Sequence, residues 1–286
     1  MRFGHVFIER FEELADAGFD EERDAAARAA IVAAGYAHGA DPLTGAATTF
    51  RYLPEREPYW RENLVAEATG SFARQRSVAC MVAFATVGSP DVPLPSLRRV
   101  LGTAGPVLLA EGYSVLARAA VAACAPGVVR LSEYFPAGLA RDAGDGVLSI
   151  DLQAIAFPDA SFSLIVSNGV MEHIPDAPAA EAEIARVLMP GGTHGFTIPF
   201  DESAEHDTVL AELRPDGAVR HHGEPIYHED PLRPEGALVY RRFSHAGLRE
   251  RYARHGCTLE TYRLWSERYG LLGPRHWIHL ARKGGV

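Results

Sequence analysis

Two apolar runs in this 286-residue chain stop at a carboxylate: residues 147–150 (VLSI) end at Asp151, and residues 127–132 (GVVRLS) end at Glu133. Short β-branched runs of this kind read as buried strands of an open α/β sheet, which binds its ligands at the carboxyl ends of the strands. An acid at that edge accepts hydrogen bonds from ligand hydroxyls and amines. Glu133 follows Gly112 at close to the ~20-residue offset that separates a nucleotide-binding glycine loop from the acid on the ribose hydroxyls. Its neighbour Tyr134 is placed either to stack on a base or to pack on the sheet. A third run, residues 163–167 (SLIVS), is followed at once by Asn168-Gly169, which turns the chain at the same edge.

A second group of reactive side chains lies downstream, in HHGEPIYHEDP at residues 221–231. His221, His222, His228 and Asp230 are ordinary metal ligands by type, but their spacing fits no metal template, so no metal is expected and substrate contacts or loop hydrogen bonds are the preferred roles. Arg214, Arg241 and Arg242 are placed either to pair with an anionic substrate or to serve the surface.

These residues need elements to position them. Residues 106–110 (PVLLA) read as the first strand of the sheet, followed by Glu111-Gly112-Tyr113 and an alanine-rich helix over 114–124. After the Asn168-Gly169 turn, Asp176 offers an N-cap and Pro178 suits a first helical turn, with Ala180, Ile184, Val187 and Leu188 at helical spacing. Pro190-Gly191-Gly192 is expected to end that helix, and 193–199 to resume as a strand with a right-handed crossover. Ser244 is expected to cap a helix to about residue 255, and 257–263 with 276–281 look like a final antiparallel pair.

In this order of elements the chain resembles the class I S-adenosylmethionine (SAM)-dependent methyltransferases, particularly the small-molecule branch. The resemblance is carried by DLQAIAFPDASFSLIVSNGVMEHI and EIARVLMPGG, runs ungapped over about residues 147–200 and extends more weakly over 106–280. It implies a Rossmann-like seven-stranded α/β sheet with SAM as cofactor. Asp151 would accept from the adenine amino group, Leu152 would offer its backbone amide, and residues 167–169 would flank the methionine end. The chain departs from the family at the first loop, where an acid and three spaced glycines are usual and only Gly112 stands beside Glu111 and Tyr113. Another group must then help hold the methionine carboxylate; Arg74 and Arg76 are the candidates, because a guanidinium pairs bidentately with a carboxylate, the alternative for each being a solvated face on a cap helix. The histidine of MEHI, His173, sits where relatives place a base or a structural histidine, and His228 joins it as a candidate catalytic residue. Some relatives bind a metal through ExxEH; here the first position is Gly169.

Ahead of the sheet, residues 1–34 read as helical, with Phe7, Phe11, Leu14 and Ala15 at helical spacing and Asp20 capping a second run that ends near Gly35. Residues 38–57 carry no clear period, 61–87 are helical in part, and the Pro-rich 91–96 stretch marks a boundary. The expected organisation is an N-terminal mainly helical cap over 1–104, covering substrate and cofactor, and a SAM-binding domain over 105–286 with a lid insertion at 201–243.

Net charge is −9 and Lys283 is the single lysine, so nothing marks a nucleic-acid footprint. Three scattered cysteines without a CxxC predict reduced thiols in a cytoplasmic protein. No segment approaches membrane-spanning length, and the start lacks an apolar core behind basic residues. The expected activity is a transferase reaction, methyl transfer to a small-molecule acceptor in specialised metabolism, with homodimer formation left open. Two rivals are a SAM-consuming lyase or cyclase that releases methylthioadenosine and a cyclic amino acid, and a non-catalytic SAM-fold partner protein.

Overall fold

The computed structural model describes residues 1–16, 19–135, 146–230 and 232–285. The chain divides into two compact units: Met1–Pro106, Ser114–Val129 and Glu260–His279 form the first, and Val107–Tyr113, Arg130–Leu259 and Leu280–Val286 the second.

The second unit is built on seven strands, here numbered β1 Val107–Ala110, β2 Val129–Glu133, β3 Val147–Ser149, β4 Phe162–Asn168, β5 Leu188–Thr197, β6 Cys257–Trp265 and β7 Trp277–Lys283. The last two strands pass through both units. Their order across the sheet is 6-7-5-4-1-2-3. β1 and β5 flank β4 in parallel, and β2 runs parallel to β3. Strands buried on both faces read as near-continuous apolar runs, and the centre of β4 does: Leu164, Ile165 and Val166 are 5%, 0% and 1% exposed. The helices begin where their caps stand in the sequence. α1 (Val115–Ala123, in the first unit) is capped by Ser114, α2 (Ala177–Val187) by Asp176 and α3 (His245–Arg254) by Ser244, each side-chain oxygen accepting from an amide three residues on. Ala180, Ile184 and Val187 of α2 are buried in one cluster with Phe162, Phe196 and Tyr252.

One turn is corrected. α2 stops at Val187, before Pro190-Gly191-Gly192, and the chain continues as β5 straight through those residues with a register irregularity between Leu188 and Thr193. Gly191 takes φ +76°, and a Cβ on Gly192 would lie 2.9 Å from the Met189 carbonyl oxygen. The glycines therefore make a bulge inside the strand, where any other residue would be strained or would clash.

The first unit holds more strand than the helical reading expects. Val6–Arg10 is a strand paired antiparallel with residues 262–265 of β6; Val6 and Ile8 are buried, and Glu9 accepts from the Arg263 guanidinium at 2.8 Å. The apparent helical spacing of Phe7 and Phe11 spans this strand and a following 3₁₀ turn at Phe11–Asp16. The helix Glu21–Ala34 does run from Asp20 to Gly35 as expected. Tyr36–Ala40, Ala47–Tyr52 and Leu64–Ala66 form a three-stranded antiparallel sheet, and Ala73–Val87 is the helix expected within 61–87. Cys80, Cys124 and Cys257 are buried free thiols. Among the described residues no helix is long and apolar enough to cross a membrane.

Two buried histidines link stability to pH. His194 bridges Ser167 Oγ (2.9 Å) and the Tyr252 hydroxyl (2.7 Å), and His276 meets the Leu272 carbonyl oxygen at 2.9 Å. Burial pulls both down to about 3 from an ordinary 6.5. A depressed folded-state value means the unfolded chain takes up protons first, so this contribution is full above about 6.5 and is lost as pH falls toward about 3, at up to about 1.4 kcal/mol per pH unit for each histidine. Denaturant unfolding at stepped pH should show that decline, and His194→Gln should flatten part of it.

Candidate functional site

The ladder register decides what meets at the strand tips. Leu109 of β1 stands opposite Val166, and Thr197 of β5 opposite Asn168. Continuing β1 by two residues brings Glu111 level with Asn168. The Asn168 side chain, 4% exposed, spans both neighbours: its amide Nδ2 donates to Glu111 Oε2 at 3.0 Å and its Oδ1 accepts from Thr197 Oγ1 at 2.8 Å. The next backbone amide, of Gly169, donates to the Thr197 carbonyl at 2.9 Å.

Glu133, at the end of β2, is half-buried, and its carboxylate accepts from the amides of Tyr134 (3.2 Å) and Gly112. Burial still holds it above the usual carboxylate range, with Asp230 adding repulsion. Gly112 is required here for space: an added Cβ would lie 2.5 Å from Val147 Cγ1. Tyr113 packs edge-on to Phe135, and Tyr134 is 47% exposed with the Arg233 guanidinium 5.9 Å from its ring centre. Beyond β3, Asp151 is half-buried and accepts from Gln153, through its backbone amide at 2.9 Å and its Nε2 at 3.0 Å, while the Leu152 side chain is buried in the core. Gln153 and Arg214 line a surface cleft of about 430 Å³ with Asp176, Glu212 and Leu213.

Residues 201–243 form short hairpins. His221 lies exposed on the hairpin of Ala211–Leu213 with Val219–His221, and His222 faces Glu212 at 3.3 Å. The second hairpin, Tyr227–His228 with Ala237–Leu238, brings His228 to the turn that follows β4. There His228 Nδ1 and His173 Nε2 stand 3.5 and 3.8 Å from the same oxygen, Oε1 of Glu172. The two candidate histidines are thus brought together, with ring centres 5.0 Å apart. His173 Nδ1 meets the Leu238 carbonyl at 2.8 Å and the Tyr240 amide donates to the Glu172 carbonyl, so this hairpin segment is tied to the turn.

Glu172 was missed by sequence reasoning. An acid beside a histidine gives no signal of the 2% exposure found here, and only its place one residue before His173 could have raised it.

Four candidate arginines meet groups of the protein itself. Arg76 is fully buried in the first unit, where it donates to the carbonyls of Ser71, Leu64, Tyr269 and Gly270, so its fork closes main-chain carbonyls and is spent before any ligand carboxylate. Arg74 pairs with Glu62 at 2.8 Å in the same unit. Arg241 pairs with Asp207, which also accepts from Arg251 at 2.6 Å. Arg242 neighbours Asp201, whose carboxyl Ser203 holds below the usual range.

Residues 122–196 match the family described as "Methyltransferase domain". No curated protein matches the chain. Similar solved structures include an S-adenosylmethionine-dependent methyltransferase from Mesorhizobium loti, with 16% identity over 66% of this chain and 96% of that one (TM-score 0.40). A second is the Burkholderia thailandensis 1,6-didemethyltoxoflavin-N1-methyltransferase bound to 1,6-didemethyltoxoflavin and S-adenosylhomocysteine, with 14% identity over 83% and 96% (TM-score 0.40). A third is the [4+2]-cyclase SpnF, with 14% identity over 76% and 83% (TM-score 0.42).

Replacing Gly112 by Ala should destabilise the chain by about 1–3 kcal/mol through overpacking against Val147. Denaturant unfolding measures this, and adding Val147→Ala should restore part of the loss.

Proposed function

We propose that this member of the class I S-adenosylmethionine-dependent methyltransferase family transfers the cofactor's methyl group in line to a nucleophilic atom of a small molecule, in specialised metabolism. The observation that carries the reading is the row of acids just past adjacent strands, Glu111 after β1, Glu133 at the end of β2 and Asp151 after β3, on a sheet ordered 6-7-5-4-1-2-3.

Those acceptors fit the cofactor's hydroxyl and amino groups, and the snug seat of Gly112 on Val147 keeps the first loop low beside Glu133. Glu133 accepts from ribose hydroxyls, with Tyr134 against the adenosine. Asp151 accepts from the adenine amino group, and Leu152 offers its amide. Glu111, Gly112, Tyr113, Asn168 and Gly169 surround the methionine end, where the Asn168 bridge fixes the Glu111 carboxylate. S-Adenosylmethionine supplies a sulfonium methyl that is already electrophilic. The protein's share is therefore alignment and exclusion of water, potentially about 7–11 kcal/mol when positioning is ideal.

His173 and His228 accept the proton that the nucleophile loses, a contribution of about 10²–10⁴-fold. The Leu238 carbonyl requires the His173 N–H at Nδ1, so Nε2 is the accepting atom. Arg214, His221 and His222, from the 201–243 segment, contact the small-molecule acceptor.

Calorimetry with S-adenosylmethionine should show binding that Glu133→Ala and Asp151→Ala each weaken about 10- to 100-fold. His228→Ala should lower kcat by about 10²–10⁴-fold at unchanged cofactor affinity. Product analysis then decides the chemistry. Adenosylhomocysteine formed only with an acceptor supports transfer, methylthioadenosine formed from the cofactor alone replaces it with self-cleavage, and absence of cofactor binding removes both.

A further inference from the structure

Two imidazole nitrogens and a carboxylate oxygen meet just beyond β4 with no hydrogen bond among them. The Glu172 Oε1 to His228 Nδ1 and His173 Nε2 separations, 3.5 and 3.8 Å, exceed hydrogen-bonding distance, and all three ligand atoms lie within 4.8 Å of one another. We propose that Glu172, His173 and His228 form a binding site for a divalent transition-metal ion of the zinc class.

The spacing suits one ion. Zinc takes histidine nitrogen and carboxylate oxygen at about 2.0–2.2 Å, so neighbouring ligand atoms in a tetrahedral site stand about 3.3–3.6 Å apart. The two gaps to the carboxylate oxygen, 3.5 and 3.8 Å, lie within a few tenths of an ångström of that span, and the two nitrogens stand within 4.8 Å of each other.

The carboxylate asks for a partner. Glu172 is 2% exposed, and its Oε2 has no hydrogen-bond partner among the described residues. An ionised carboxylate buried in that state is costly unless a cation or a donor reaches it, and among the described residues neither arginine nor lysine stands on it. A metal bound through this group supplies the missing charge.

The outer contacts are those of a built site. A ligating histidine ordinarily donates its second N–H to a carbonyl or carboxylate, which fixes the tautomer and aims the free lone pair. His173 does so through Nδ1 to the Leu238 carbonyl. Leu238 pairs with Tyr227 in the hairpin that carries His228, so one hairpin brings both the third ligand and the support of the second. His228 keeps 41% of its side chain exposed, which gives an ion a route in and room for a solvent or acceptor oxygen at a fourth position. Two imidazoles with one carboxylate favour zinc and its neighbours over magnesium or calcium, which prefer oxygen. Gly169 stands where ExxEH would supply another acid, and His228, far along the chain, takes the third place instead.

The test uses the full chain stripped with a chelator and titrated with Zn²⁺ or Co²⁺ alone, without cofactor or acceptor. One ion per chain is expected, with visible Co²⁺ absorption bands of a nitrogen- and oxygen-ligated site. Glu172→Gln and His228→Ala should each weaken uptake by about 100-fold or more, while His255→Ala, on an exposed histidine elsewhere, should leave it intact. Circular dichroism checks that the variants fold; if His228→Ala does not, Glu172→Gln carries the result. No uptake by the wild-type chain, or uptake undiminished in Glu172→Gln, overturns the assignment. Failure here leaves methyl transfer standing, because its assays measure cofactor binding and adenosylhomocysteine; success takes the His173 and His228 lone pairs assigned above to proton acceptance, and the two histidines then serve as ligands in place of bases.

Discussion

One carboxamide holds the carboxyl edge of this sheet in register. Asn168 donates to Glu111 and accepts from Thr197, tying the tips of three parallel strands across a buried point. Only a side chain that is donor and acceptor at once, and uncharged, can do this without a desolvation penalty for a full charge. Its position sets Gly169, and Gly169 sets the turn that presents Glu172 and His173. The edge also orders its acids by environment. Glu111 is held by an amide, Glu133 by backbone N–H groups under burial, and Asp151 by Gln153.

The long excursion between β5 and β6 is held at two places by different forces. Near His173 the Tyr227–His228 and Ala237–Leu238 hairpin is attached by main-chain acceptors and donors, which tolerate many side chains. Further on, Asp207 gathers Arg241, Arg251 and the Ser244 cap, and Arg251 continues to Glu181 of α2. Removing one member of such a buried network leaves an uncompensated charge, which costs more than the network contributes when whole. Arg241, read from the sequence as either a partner for an anionic substrate or a surface residue, is committed to this anchor.

Legibility followed the range of the interaction. The caps at Asp20, Asp176 and Ser244 were readable because each contact spans three residues. The buried parallel strands were readable because burial on both faces favours near-continuous apolar runs. The bulge at 190–192 was not, since Pro-Gly-Gly serves equally as a helix stop, and only pairing with β4 tells the two apart. Val6–Arg10 was misread for a similar reason: a five-residue strand followed by a 3₁₀ turn can mimic helical spacing, and its strand identity comes from residues 262–265 far downstream.

The amino-acid order by itself determined the α/β class, the order of elements over 106–187 and the acids at the end of β2 and just past β3, because these rest on local periodicity and on neighbours a few residues apart. Tertiary structure alone decided that Arg76 closes four carbonyls while Glu172 gathers His173 and His228. Burial and long-range pairing set the role of a charged side chain, and neither is written in its identity or in its immediate neighbours.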